Sequence, residues 1–201
     1  MRKFSVLLIA FLMALILVGC AGREVTRVDP ENTPIDLSGN WNDVDSQEMA
    51  KALVDQITTA VWVENHVTDT GKKPVLIVGN IRNKTPEHIP MKTLTADLEA
   101  AFINSGRVLV VASPEEREQV RQERAEQQDH SSEESMKRWG QEMGADFMLV
   151  GELNSIFDQY DGKEAKYYQA NVYLVHLESN IKVWTGDSRI KKAIGKGKFR
   201  K

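Results

Sequence analysis

The side chains able to do chemistry in this 201-residue chain are few: one cysteine, four histidines and two pairs of adjacent acids. The histidines are His66, His88, His130 and His176. None stands three or four residues from another, so no helix presents a two-histidine metal pair. His176 falls in a strand, where a satisfied or partly exposed ring is expected rather than a ligand. Glu115/Glu116 and Glu133/Glu134 are of the right type for acid–base work. Each pair falls in a helix first turn, where negative charge favours the helix dipole, and capping explains it more simply. No Gly-x-Ser-x-Gly elbow and no Walker-type phosphate loop is present. The sequence therefore predicts no enzyme, no metal, no cofactor and no small-molecule substrate.

The cysteine has a better-defined chemistry. Arg2 and Lys3 open the chain with positive charge, and Phe4 to Val18 run apolar except for Ser5. Fifteen such residues suit a signal-peptide core and are short for a membrane span, which needs about 20. The run closes in Leu17-Val18-Gly19-Cys20, which resembles a bacterial lipobox, cut before the cysteine. Cys20 is then the mature N-terminus and the lipidation site (palmitate is the expected acyl group), which leaves no free thiol. Ala21 follows rather than Asp, which by resemblance to enterobacterial lipoproteins implies the outer membrane and a domain facing the periplasm.

Charge is unevenly divided. The net is −3 for the whole chain, and −5 without the leader. Arg189 to Lys201 hold seven basic residues and no acid, so residues 20–188 carry 17 basic against 29 acidic side chains. Such a basic end either binds an anionic surface or acts only as a solubilising tail. A domain outside the cytoplasm is not expected to bind nucleic acid.

The elements that position these groups follow from local pattern. Residues 20–42 hold Pro30 and Pro34 without periodicity and read as a lipidated flexible tether after a signal peptide at 1–19. A helix is expected over about 46–65, with Asp45 and Glu48 at capping-box spacing, Met49, Leu53, Ile57 and Val61 on its inner face, and Trp62 in the core. Val75–Val78 reads as a buried strand and 80–86 as a polar loop. A helix over about 93–105 ends at Gly106, followed by a strand at 108–112. Ser113, Pro114 and Glu116 start a polar helix to about 128, with Val120 and Ala125 as its only aliphatics. Its mixed charges suggest a solvated face more than a docking helix. Another helix is expected at 132–143, then strands at 146–156, 166–177 and 181–190, the last two forming an antiparallel hairpin through Glu178-Ser179-Asn180. This order predicts an α/β (α+β) fold: a mixed β-sheet with a C-terminal antiparallel hairpin and helices packed on it.

Val75–Val78 with Asn83-Lys84-Thr85, Asn104-Ser105-Gly106-Arg107, Met143-Gly144-Ala145-Asp146-Phe147-Met148-Leu149, Val172-Tyr173-Leu174-Val175-His176-Leu177, and Val183-Trp184-Thr185-Gly186 follow one another along the chain. In that order they resemble the LpoB-like family of penicillin-binding protein activators. The resemblance implies a domain over 43–190 similar to the N-terminal domain of TolB. It also implies an outer-membrane lipoprotein that docks on a noncatalytic domain of a bifunctional peptidoglycan synthase and activates it. Two departures stand out: a tether of only about twenty residues, and the basic tail at 191–201. Asn83, Thr85 and Trp184 match motifs, and Arg189, Lys191 and Lys192 open the basic stretch; these six are the candidate interaction residues, with turn geometry and hairpin packing as the competing account. The competing function is a structural or scaffold lipoprotein of an envelope assembly or secretion complex.

Overall fold

The computed structural model describes residues 28–29, 35–36, 38–128 and 144–195. Cys20, the expected helix at 132–143 and the residues after Gly195 lie outside them. Helix α1 spans Asp43–Thr58. Its capping box is built one turn earlier than Asp45/Glu48 predicts. The Asp45 N–H donates to the Asn42 side chain at 3.1 Å, and the Asn42 N–H donates back to the Asp45 carboxylate at 2.9 Å. Met49, Leu53 and Ile57 are fully buried as expected.

The single helix expected over 46–65 is in fact two. Thr58 and Thr59 turn their hydroxyls back onto the carbonyls of Val54 and Asp55, at 2.8 and 2.7 Å. Such bonds weaken helix continuation, and Ala60 is extended. Helix α2, Val61–Thr70, therefore starts in a new direction, with Val61 exposed rather than inward. The break turns Trp62 into the core, where its indole N–H donates to the Ile57 carbonyl at 2.9 Å.

Strand β1 is Val75–Asn83, longer than expected. Its pairing shifts between Val78 and Ile81, a bulge that returns Ile81 to the buried face. The sequence reads Asn80–Asn83 as loop because a bulge breaks strand alternation. Helix α3, Met91–Ser105, buries Leu94, Leu98 and Phe102 and ends at Gly106 with φ 63°. Strand β2 is only Leu109–Val110. Helix α4, Pro114–Gln128, begins with the expected box: the Glu116 N–H donates to Ser113 Oγ, and the Ser113 N–H to Glu116. Val120 and Ala125 are exposed, so neither touches the core.

Strands β3 (Phe147–Tyr160), β4 (Lys163–His176) and β5 (Lys182–Ile194) form an antiparallel meander. The sheet order is β2-β1-β3-β4-β5, with β1 parallel to β2 and β3. This is the mixed sheet and terminal hairpin the sequence predicts. The strands overrun their expected ends, however. β3 and β4 continue to a two-residue turn at Asp161-Gly162, both at positive φ, and β5 continues past Ile190. Those extensions lack buried alternation, the signal that marks a strand in sequence. One sheet face, carrying Leu76, Leu149, Leu153, Ala170, Val172 and Leu174, meets α1 and α3 in the core.

Candidate functional site

Asn83 and Thr85 stand in the turn that leaves β1. The Asn83 carboxamide donates to the Glu87 carbonyl at 2.7 Å and accepts from the Thr85 N–H and hydroxyl at 2.9 and 2.8 Å. The Glu87 N–H donates to Thr85 Oγ1 at 3.2 Å. This closed ring of bonds is an Asx-type turn, and it aims the Glu87 carboxylate inward. There the carboxylate accepts from Lys166 Nζ at 2.9 Å, the Tyr168 hydroxyl at 2.7 Å and the Trp41 N–H at 3.3 Å. Burial works against the charge, but these donors overcome it and hold the Glu87 carboxyl below its ordinary value. Burial, and then the bond to Glu87, push the Tyr168 phenol up. Trp41 also packs edge-on against Tyr168, ring centres 5.4 Å apart. Both motif residues thus serve the frame that holds Glu87.

Lys192 lies on the helix-covered face of β5, not in a free tail. Its ammonium donates to Asp36 and Asp45 at 2.6 Å each and to the Asn40 carbonyl at 3.0 Å. Only 9% of the side chain is exposed, and 4% of that of Asp45. Burial lowers the ammonium's proton affinity, yet the two carboxylates more than restore it. Burial raises the Asp45 carboxyl, and the Lys192 ammonium at 2.6 Å offsets part of that rise. Lys166 also bonds Asn40. Together these contacts strap the segment before α1 across the ends of β4 and β5.

Trp184 is half-buried against the core. Its ring lies over Gly186, where an added Cβ would sit 2.4 Å from the indole carbons. Gln56 of α1 reaches the same place and donates to the Asp187 carbonyl at 3.0 Å. Trp184 and Gly186 therefore dock α1 on β5.

Arg189 and Lys191 remain exposed. They stand on the opposite face of β5, where Gln169 and Tyr167 of β4 pair with them. Along that face Tyr167 donates to Gln169 at 2.8 Å, and Gln169 to Asn171 at 2.8 Å. Lys182 sits 3.7 Å above the Tyr173 ring, and Arg189 pairs with Asp187 at 2.5 Å. The hydrogen bond and then the charge of Asp187 raise the Arg189 value further. No sequence motif marks this polar and aromatic ladder as a unit. Its signal was the alternation of Tyr167, Gln169, Asn171 and Tyr173 with buried neighbours. The ladder offers donors, acceptors and ring faces to a partner surface. Among the described residues no cluster of three His, Cys, Asp or Glu is placed to hold a metal, and no helix is long and apolar enough to cross a membrane.

The family described as peptidoglycan-synthase activator LpoB matches residues 45–190. No curated protein sequence matches the chain. Among solved structures, the LpoB C-terminal domain from Salmonella enterica is 18% identical over 76% of this chain and 99% of its own, with a TM-score of 0.39. The LpoB C-terminal domain from Escherichia coli is 18% identical over 73% and 98%, at 0.41. Lipoprotein GNA1162 from Neisseria meningitidis is 17% identical over 61% and 84%, at 0.37.

Proposed function

Because the chain belongs to the LpoB family of peptidoglycan-synthase activators, we propose that it is a periplasmic lipoprotein, held by a lipid on Cys20 in the outer membrane, that switches on a bifunctional penicillin-binding protein by contact. The family match over residues 45–190 carries the reading. The protein acts as a regulator and not as a catalyst. Activation by contact requires that it bind the active synthase conformation more tightly than the inactive one, since equal affinity shifts nothing.

The polar ladder on β4 and β5 is the docking face in this reading, with Arg189 and Lys191 as its charged contacts. Asn83, Thr85, Trp184 and Lys192 act behind it by positioning Glu87, α1 and the entry segment. The test is to add the purified protein to the bifunctional synthases of the same cell and measure glycan polymer and peptide crosslinks. The yield rises with one of them, and no change with any sinks the proposal. Reversing both charges, Arg189→Glu with Lys191→Glu, weakens the stimulation about tenfold, the change expected for about 1.4 kcal/mol of contact.

A further inference from the structure

Tyr168, Ala170, Val172 and Leu174 of β4 lie in the core. Tyr167, Gln169, Asn171 and Tyr173 therefore stand on the other face, half-exposed, one group about every 7 Å over about 20 Å of strand. Ile156 and Asn154 of β3 flank this strip on one side, and Lys191 and Arg189 of β5 on the other. A flat strip of recurring polar groups suits a ligand that is itself an extended repeat.

The hydrogen bonds along the strip run in one direction. The Tyr167 hydroxyl donates to Gln169 Oε1, and Gln169 Nε2 donates to Asn171 Oδ1, at 2.8 Å each. Both amides are thus oriented before a ligand arrives, which lowers the ordering cost of binding. Among the described residues Tyr167 Oη accepts no hydrogen bond and Asn171 Nδ2 donates none. A ready acceptor at one end and ready donors at the other match hydroxyl and acetamido groups, which offer both. The Tyr167 ring, beside an Ile156 that is 65% exposed, adds a platform. The negative face of such a ring attracts the C–H groups of a sugar.

Charge adds a requirement. Residues 20–188 carry 17 basic against 29 acidic side chains, yet two cations on this strip are uncompensated. Its acids are taken: Glu152 pairs with Arg82 at 3.5 Å, and Asp187 with Arg189 at 2.5 Å. Asp158 lies past Ile156, beyond the strip. Lys191 has no carboxylate partner among the described residues, and Lys182 sits 3.7 Å above the Tyr173 ring. A neutral polysaccharide leaves both ammonium groups unused, whereas one that bears carboxylates uses them.

We propose that the open face of β4 from Tyr167 to Tyr173, with Lys182 and Lys191 at its rim, binds a glycan strand that carries N-acetyl and carboxylate groups, the chemistry of peptidoglycan. Tyr167 stacks on a sugar, Gln169 and Asn171 bond its hydroxyl and acetamido groups, and the two lysines meet its carboxylates. The site goes beyond the synthase contact and does not depend on it. Since the two share a face, strand and synthase exclude one another there.

The test is calorimetric titration of the mature protein, purified in detergent, with two probes. One is soluble glycan strands stripped of their peptides, which keep their lactyl carboxylates. The other is chitotetraose, which has N-acetyl groups and no carboxylate. The strands should bind about tenfold more tightly than chitotetraose at low salt, and the gap should close at high salt. Gln169→Ala with Asn171→Ala should weaken both probes about tenfold. Lys182→Gln with Lys191→Gln should weaken the strands alone, and because both lysines are exposed this variant keeps the site testable if the amide variant fails to fold. A protein that melts cooperatively and binds neither probe overturns the site. Binding that both variants leave unchanged overturns it too, as does polyglutamate binding as tightly as the strands, which marks a charged surface only. A synthase that is not stimulated sinks the synthase contact and leaves the titration standing, so the two readings fail separately.

Discussion

Lys166, Tyr168 and the Trp41 amide all donate to the Glu87 carboxylate, so its ionised form is favoured in the folded chain over the unfolded one. The linkage sign follows. A carboxyl lowered by folding contributes stability that is fully present above its ordinary value of 4.5. That stability is lost as pH falls through 4.5 toward the lowered folded value. Glu87→Gln should cost about 1–3 kcal/mol at neutral pH, as for a charged hydrogen-bond acceptor. The difference from the parent should shrink in acid. Urea unfolding of both proteins at neutral and acidic pH reads this directly, and an equal gap at both would show that the charge is irrelevant. Asp45 has the opposite sign: its raised carboxyl opposes folding as pH rises through the folded value, and Lys192 offsets part of that. Asn83 and Thr85 were legible as a turn, because Asx bonding spans two residues. Their service to Glu87 was not, since Tyr168 is 81 residues away.

At the scale of elements, α3 and the start of α4 follow the sequence closely, because periodicity and caps are set by neighbours within one turn. The α1–α2 break and the β1 bulge escape that pattern, since each trades local regularity for a buried side chain, Trp62 in one case and Ile81 in the other. The docking of α1 on β5 escapes it too. Gly186 is open to substitution by sequence alone, yet its missing Cβ is what leaves room for the Trp184 ring. Gly186→Ala should lower stability by about 1–3 kcal/mol through overpacking, visible as a lower Tm. Adding Trp184→Leu should restore part of the loss, and an unchanged melt for Gly186→Ala would mean that the ring is not pressed there.

At the scale of the molecule, tether and domain together set reach. Stretched out, the 15 residues from Cys20 to Pro34 span about 50 Å at most, and the long strands of the domain are about 45 Å in length. The strap at Lys192 removes residues from 36 onward from the usable leash, so reach depends on the domain as much as on the tether. Each methylene of an acyl chain contributes about 0.8 kcal/mol to membrane attachment. Cys20→Ser should therefore move the protein from the membrane to the soluble fraction of cells, and its staying in the membrane fraction would refute the proposed anchor. The amino-acid sequence alone determined the Ser113–Glu116 cap, the stop at Gly106, the terminal hairpin and the family. All of these are written in contiguous residues, where hydropathy and hydrogen bonding act over a few positions. Only the tertiary structure decided which basic residues are spent internally. Lys192 reads as part of an exposed tail, but it meets Asp36 across 156 residues and is consumed there. It leaves Arg189 and Lys191 outside and holds the segment before α1 against β4 and β5. Burial and charge pairing between distant segments arise only when the chain closes on itself, and no local pattern records them.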